Sequence, residues 1–153
     1  AISIARALAE TGGRILLVEF DPYQPRMARM LGIENTPGLA DVLARRADPG
    51  ASIQRARVRG DLFVVTAGSA TMPLTSLTAR RMELLLKAYD VYFDYIVLAL
   101  PPVALLPEEM ALNRMLDGLV LTVRRASTRH SALADAMGCL DAMRVSVLGF
   151  VLT

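Results

Sequence analysis

Two hydrophobic rhythms alternate along the chain at short spacing. The opening AISIARALAETGG places Ala1, Ile4, Ala5 and Leu8 at i, i+3, i+4 and i+7, one face of an amphipathic helix that Gly12 and Gly13 stop. RILLVEF (14–20) follows as an unbroken apolar run of strand length. Beyond a turn-rich DPYQPR come a short helical MARML and then NTPGLADVLARR, where Thr36 and Pro37 are expected to open a helix. LFVVTAG (62–68) predicts a second strand, residues 76–88 a helix with Leu77, Leu84, Leu85 and Ala88 on one face, and DYIVLALPP a third strand halted by two prolines. Residues 107–115 read as a short helix with Pro and two Glu at its start, and DGLVLTVRR as a fourth strand. Residues 127–143 form a helical pattern through Leu133, Ala136, Met137 and Leu140, capped by Ser127 or Thr128, and VSVLGFVLT closes the series as a fifth strand.

Strands that are apolar on both faces and alternate with helices predict an α/β fold, a three-layer architecture with a mostly parallel sheet flanked by helices. Such a series ordinarily begins with a strand, whereas this one begins inside a helix with no cap before Ala1. The expectation is that a first strand and its loop are missing from these residues and lie upstream. Ligands in this fold class sit beyond the carboxyl ends of the strands. Those ends are Glu19-Phe20-Asp21, Thr66-Ala67-Gly68, Ala99-Leu100-Pro101-Pro102, Arg124-Arg125-Ala126 and Thr153.

Composition narrows the class. At 153 residues, 54% hydrophobic and 21% charged, the chain is expected to be a single domain, 1–153, able to build a core without staples. The single Cys139 has no partner and no Cys/His cluster around it, which excludes structural zinc and an intrachain disulfide. The longest apolar stretch, residues 95–106, carries Pro101 and Pro102 and falls short of the roughly 20 residues that cross a bilayer. The net charge of +2 is spread thin; its local concentrations are Arg45, Arg46, Arg55, Arg57 and Arg59, and Arg124, Arg125 and Arg129. Without interleaved aromatics or a reader motif, these arginines do not predict a nucleic-acid partner, although such a patch suits an anionic membrane surface.

At the strand ends the residues resemble a known family. ILLVEFDPYQPRMARMLGIENTPGLADVLA is similar to the segment of bacterial tyrosine kinases, and of the cytoplasmic domains of polysaccharide co-polymerases, in which a strand ends in Asp-x-Asp and enters an Arg/Pro-rich turn. LFVVTAG resembles the family's third strand, YFDYIVLALPPV its Walker B strand, and DGLVLTVRRASTRHSAL and VLGFVLT its closing strands. The five pieces occur in the family's order over nearly the whole chain. The parent group is the deviant-Walker P-loop ATPases.

That resemblance implies phosphoryl transfer from Mg-ATP to tyrosines of a neighbouring copy. It needs a Gly-rich loop with a Lys to cradle phosphates and carboxylates at two strand ends to orient Mg2+ and its waters. By resemblance, Glu19 and Asp21 fall at the catalytic, metal and nucleotide positions, and Pro101 and Thr153 at nucleotide-contacting ones. The departures concentrate there. No GxxxxGK[ST] occurs; the Walker B acid is Ala99, followed by Leu100; Glu19 replaces the first Asp of its motif; Tyr23 stands where an Arg is expected, and Thr153 where an Asn reads adenine. No tyrosine-rich stretch lies within these residues after the last strand.

Several residues carry two readings. Asp21 is either a surviving base or metal-water ligand, or an Asx turn before Pro22. Glu19, inside an apolar run, needs a partner if buried, which points to a cleft position. Tyr89, Tyr92 and Tyr95 invite a phosphorylation reading, but their spacing suits buried aromatics with wet hydroxyls between a helix and a strand. Asp94 and Asp117 read as turn or cap residues, His130 as a solvated residue in a helix's first turn, and Cys139 as a small buried hydrophobe.

The expected function is a degenerate tyrosine-kinase-like regulatory or interaction domain of exopolysaccharide biosynthesis and export, with Mg-ATP binding weak or absent. Its implied partners are a membrane-spanning polysaccharide co-polymerase segment or subunit and further copies of itself; its implied place is the cytoplasmic face of the bacterial inner membrane. The alternative is an active ATP-dependent tyrosine kinase or ATPase whose P-loop lies upstream of Ala1.

Overall fold

The computed structural model describes residues 1–69, 71, 73, 75–107, 112–125 and 127–153, and of 76 and 77 the backbone. The chain divides into two compact units, Ala1–Pro73 with Leu84–Pro101, and Leu74–Glu83 with Pro102–Thr153.

In the first unit, helix α1 (Ile2–Glu10) leads through Gly12, at φ 96°, into strand β1 (Arg14–Glu19). Short helices α2 (Met27–Leu31) and α3 (Leu39–Leu43) follow, then strands β2 (Gln54–Arg55) and β3 (Asp61–Val65). Helix α4 (Ser76–Asp90), of which residues 84–90 belong to this unit, precedes strand β4 (Tyr95–Ala99). The sheet order is β2-β3-β1-β4, with β3, β1 and β4 mutually parallel and β2 antiparallel to β3. The continuous apolar run of β1 is explained by burial on both faces. Ile15 and Leu17 lie in one cluster with Leu62 and Val64 from the neighbouring strand and Ala5 and Ala9 from α1, while Leu16, Val18 and Phe20 are fully buried on the other face. Alanines on the inner face of α1 leave the helix free to lie close to the sheet. Each fully buried Leu or Ile there stabilises the fold by about 1.5–3 kcal/mol relative to exposure.

At the amino end of β1, the Arg14 guanidinium lies 5.7 and 5.6 Å from the Phe63 and Phe93 ring centroids, and its N–H donates to Asp94 Oδ2 at 2.7 Å. Asp94 thus acts as the turn residue its position suggests.

In the second unit, β5 (Leu119–Val123) and β6 (Val147–Leu152) pair in parallel, joined through helix α5 (His130–Ala142). α5 packs on the turn Val103–Leu105, and Leu112, Leu140, Met143 and Val145 are buried.

Several sequence expectations are corrected. β2 is an unforeseen strand, and it makes the sheet mixed. The helix expected from Thr36 and Pro37 begins at Leu39, with Gly38 at the N-cap. α5 begins at His130, and Thr128 Oγ1 accepts the Arg124 N–H at 3.1 Å instead of capping the helix. Of the three clustered tyrosines only Tyr89 is buried, its hydroxyl donating to the Pro49 carbonyl at 3.1 Å. Tyr92 and Tyr95 are 62% and 55% exposed, because one sits on the turn after α4 and the other begins an edge strand. Cys139 is half-buried. Residues 108–111 of the expected short helix, Ala126 at a strand end, and the Leu77 side chain lie outside the described residues.

Candidate functional site

The parallel register sets Glu19 directly opposite Ala99, so the carboxyl ends of β1 and β4 stand side by side. Period-2 alternation puts Glu19 on the face that carries Ile15 and Leu17, at the far end of the α1 cluster. Glu19 is only 3% exposed. Its Oε1 accepts the N–H groups of Arg26 at 2.6 Å and Met27 at 2.9 Å, and its Oε2 accepts that of Ala67 at 3.1 Å. Arg26 and Met27 open α2, which has no side-chain cap of its own. The glutamate therefore satisfies backbone donors that a helix start leaves unpaired, and it also ties the end of β3 to that of β1. It is a buried brace, not the cleft-facing carboxylate that its strand-end position suggested.

Asp21, two residues on, is half-buried. Its Oδ1 accepts the N–H groups of Tyr23 at 3.0 Å and Gln24 at 3.1 Å, an Asx turn. Oδ2 accepts no hydrogen bond from the described residues. Pro101 lies two residues past Ala99 and is buried. Thr153 belongs to the second unit, where its N–H donates to the Val123 carbonyl at 3.0 Å and its carbonyl accepts the Arg125 N–H at 2.9 Å, extending the β5–β6 pairing.

A Mg2+ ion bound with nucleotide phosphates takes one or two carboxylate oxygens and oriented waters. At the paired strand ends, both Glu19 oxygens are occupied by backbone N–H groups, the opposite position carries a methyl group, and one oxygen of Asp21 is free. Among the described residues no group of three or more His, Cys, Asp and Glu side chains could hold a metal ion. Of the carboxylate oxygens at these two strand ends, Asp21 Oδ2 is the one left open among the described residues, and the position opposite Glu19 supplies none.

A second polar cluster in the same unit was not singled out from the sequence. Asp41, 7% exposed, sends Oδ2 to the N–H groups of Gly38 at 3.0 Å and Ser69 at 3.3 Å, while Oδ1 meets Ser69 Oγ at 3.3 Å and the Arg46 guanidinium at 3.7 Å. Burial pushes the Asp41 carboxyl up; the N–H groups of Gly38 and Ser69, the Ser69 hydroxyl and Arg46 outweigh it and hold the carboxyl below its ordinary range. Around it the start of α3 is fastened to the end of β3. Leu39 and Ala40 N–H groups donate to the carbonyls of Thr66 and Ala67 at 2.8 and 2.9 Å, Thr66 Oγ1 donates to the Asn35 carbonyl at 3.0 Å, and Asn35 Nδ2 donates to the Gly68 carbonyl at 2.8 Å. The backbones come so close that a Cβ at Gly38 would stand 2.3 Å from the Gly68 nitrogen. Gly68 itself has φ 87°, which favours glycine. A concavity of about 470 Å³ opens beside this clamp, lined by Thr36, Pro37, Asp41, Arg46, Ala47 and Ser69. The signal that could have found it is Asp41 three residues after Gly38, the spacing by which an acid in a helix's first turn bonds the cap N–H.

No family model matches the sequence. The chain is 25% identical to the tyrosine-protein kinase YwqD of Bacillus subtilis over 99% of its own length and 64% of that protein's. It is 26% identical to the tyrosine-protein kinase CpsD of Streptococcus pneumoniae, covering 99% of itself and 67% of that relative, and 23% identical to the tyrosine-protein kinase ptk of Acinetobacter johnsonii, of which it spans 20%. The kinase domain of the Escherichia coli tyrosine kinase ETK superposes with TM-score 0.87 at 22% identity, over 99% of this chain and 59% of that one. The septum site-determining protein MinD of Pyrococcus horikoshii, solved with Mg-ADP, gives TM-score 0.70 at 20% identity, covering 97% of this chain and 61% of that one. The homologues are thus named bacterial tyrosine-protein kinases, and the structural neighbours show a P-loop NTPase-like fold with a mostly parallel sheet.

Proposed function

We propose that residues 1–153 form a single tyrosine-kinase-like domain that has lost phosphoryl transfer and acts through contacts, as a regulatory or interaction module of exopolysaccharide biosynthesis and export. Its partners are a membrane-spanning co-polymerase segment or subunit, at the cytoplasmic face of the inner membrane, and further copies of itself. The kinase relatives support the lineage, and the resemblance of the five strand-end motifs supports the setting. Among the described residues no helix is long and apolar enough to cross a membrane.

The observation that carries the loss of catalysis is Glu19. Its carboxylate is consumed by the N–H groups of Arg26, Met27 and Ala67 and faces the methyl of Ala99, so neither of these two facing positions has a carboxylate oxygen left to orient a metal-bound water. Neither change is at the chain's edge. Titration calorimetry with Mg-ATP, together with an assay for phosphate release and tyrosine labelling, tests the reading. The expected outcome is neither micromolar binding nor turnover; micromolar binding with turnover overturns it.

A second reading, an active ATP-dependent kinase or ATPase, has one observation in its favour: Asp21 Oδ2 is free of hydrogen bonds from the described residues. It requires a phosphate loop N-terminal to Ala1, since no GxxxxGK[ST] lies within these 153 residues. The two readings part at Ala99→Asp, a carboxylate restored opposite Glu19. A gain in Mg-dependent nucleotide affinity means that the old site geometry survives; no change means that the brace has closed it.

A further inference from the structure

We draw no further inference here: the strongest candidate, the exposed apolar face of β6 in the second unit, formed by Leu148, Phe150 and Leu152 at alternate positions, carries nothing because nothing in the structure shows what covers it.

Discussion

The carboxyl end of β1 and the clamp between β3 and α3 each bury a carboxylate, Glu19 at 3% exposure and Asp41 at 7%. Both are satisfied by backbone N–H groups. Glu19 spends both oxygens on three donors from two distant segments, and no salt bridge reaches it among the described residues. Asp41 shares its oxygens among two N–H groups, a hydroxyl and a loosely held guanidinium 3.7 Å away, beside an open concavity. The difference teaches where adaptability remains. At β1, where the kinase resemblance places chemistry, the carboxylate has become part of the frame; at α3, a residue with no expected role keeps an exposed cation and an open face.

Removing the brace is the sharpest way to break this contrast. Glu19→Ala orphans three N–H groups, two of them at the start of α2, in a place nearly closed to water. At about 1–3 kcal/mol for each buried donor left unpaired, partly relieved by relaxation, the expected loss is about 4 kcal/mol. Urea denaturation measures it. A loss below about 1 kcal/mol would mean that water reaches these donors, that the site is open, and that the brace explanation fails.

Gly38→Ala attacks the other region. Its Cβ would meet backbone, the Gly68 nitrogen at 2.3 Å and the Gly68 Cα at 2.5 Å, so no side-chain rotation relieves it. The start of α3 must lift from the end of β3, which lengthens the Leu39 and Ala40 hydrogen bonds to Thr66 and Ala67. The expected cost is about 3 kcal/mol, the upper range for overpacking. Amide hydrogen exchange should localise it, with Leu39 and Ala40 exchanging faster and the Ala67 amide, held by Glu19, unchanged. Equal acceleration at Ala67 would show that the two regions are one cooperative unit.

The contrast itself was only half legible in the sequence. Apolar runs such as RILLVEF exposed the buried parallel strands, because burial on both faces removes alternation. Glu19 was visible as a carboxylate out of place, but its partners are backbone N–H groups of Arg26, Met27 and Ala67, which carry no side-chain signal and come from folding alone. β2 escaped notice because two residues, Gln54 and Arg55, hold no period. α3 was displaced because Pro37 suits a first helical position, whereas the helix start is decided by what Gly38 and Gly68 permit on close approach. Tyr92 and Tyr95 were expected to be buried from a three-residue spacing that turned out to span a turn and a strand edge.

The smallest expected effect sharpens the comparison through pH. Asp41→Asn keeps an oxygen for the Gly38 N–H but removes the charge that Ser69 and Arg46 favour, at an expected cost of about 1 kcal/mol near neutral pH. The Asp41 carboxyl titrates below its ordinary range in the folded chain, so the unfolded chain binds the proton first as pH falls. Its contribution is therefore complete above the unfolded value of about 3.9, and is lost as pH falls from there through the lower folded value. Urea midpoints of the wild type and Asp41→Asn should be separated at pH 6 and converge once both folded and unfolded carboxyls are protonated. The two curves running parallel into acid would show that the charge of Asp41 adds nothing to the clamp beyond the hydrogen bonds that its geometry allows.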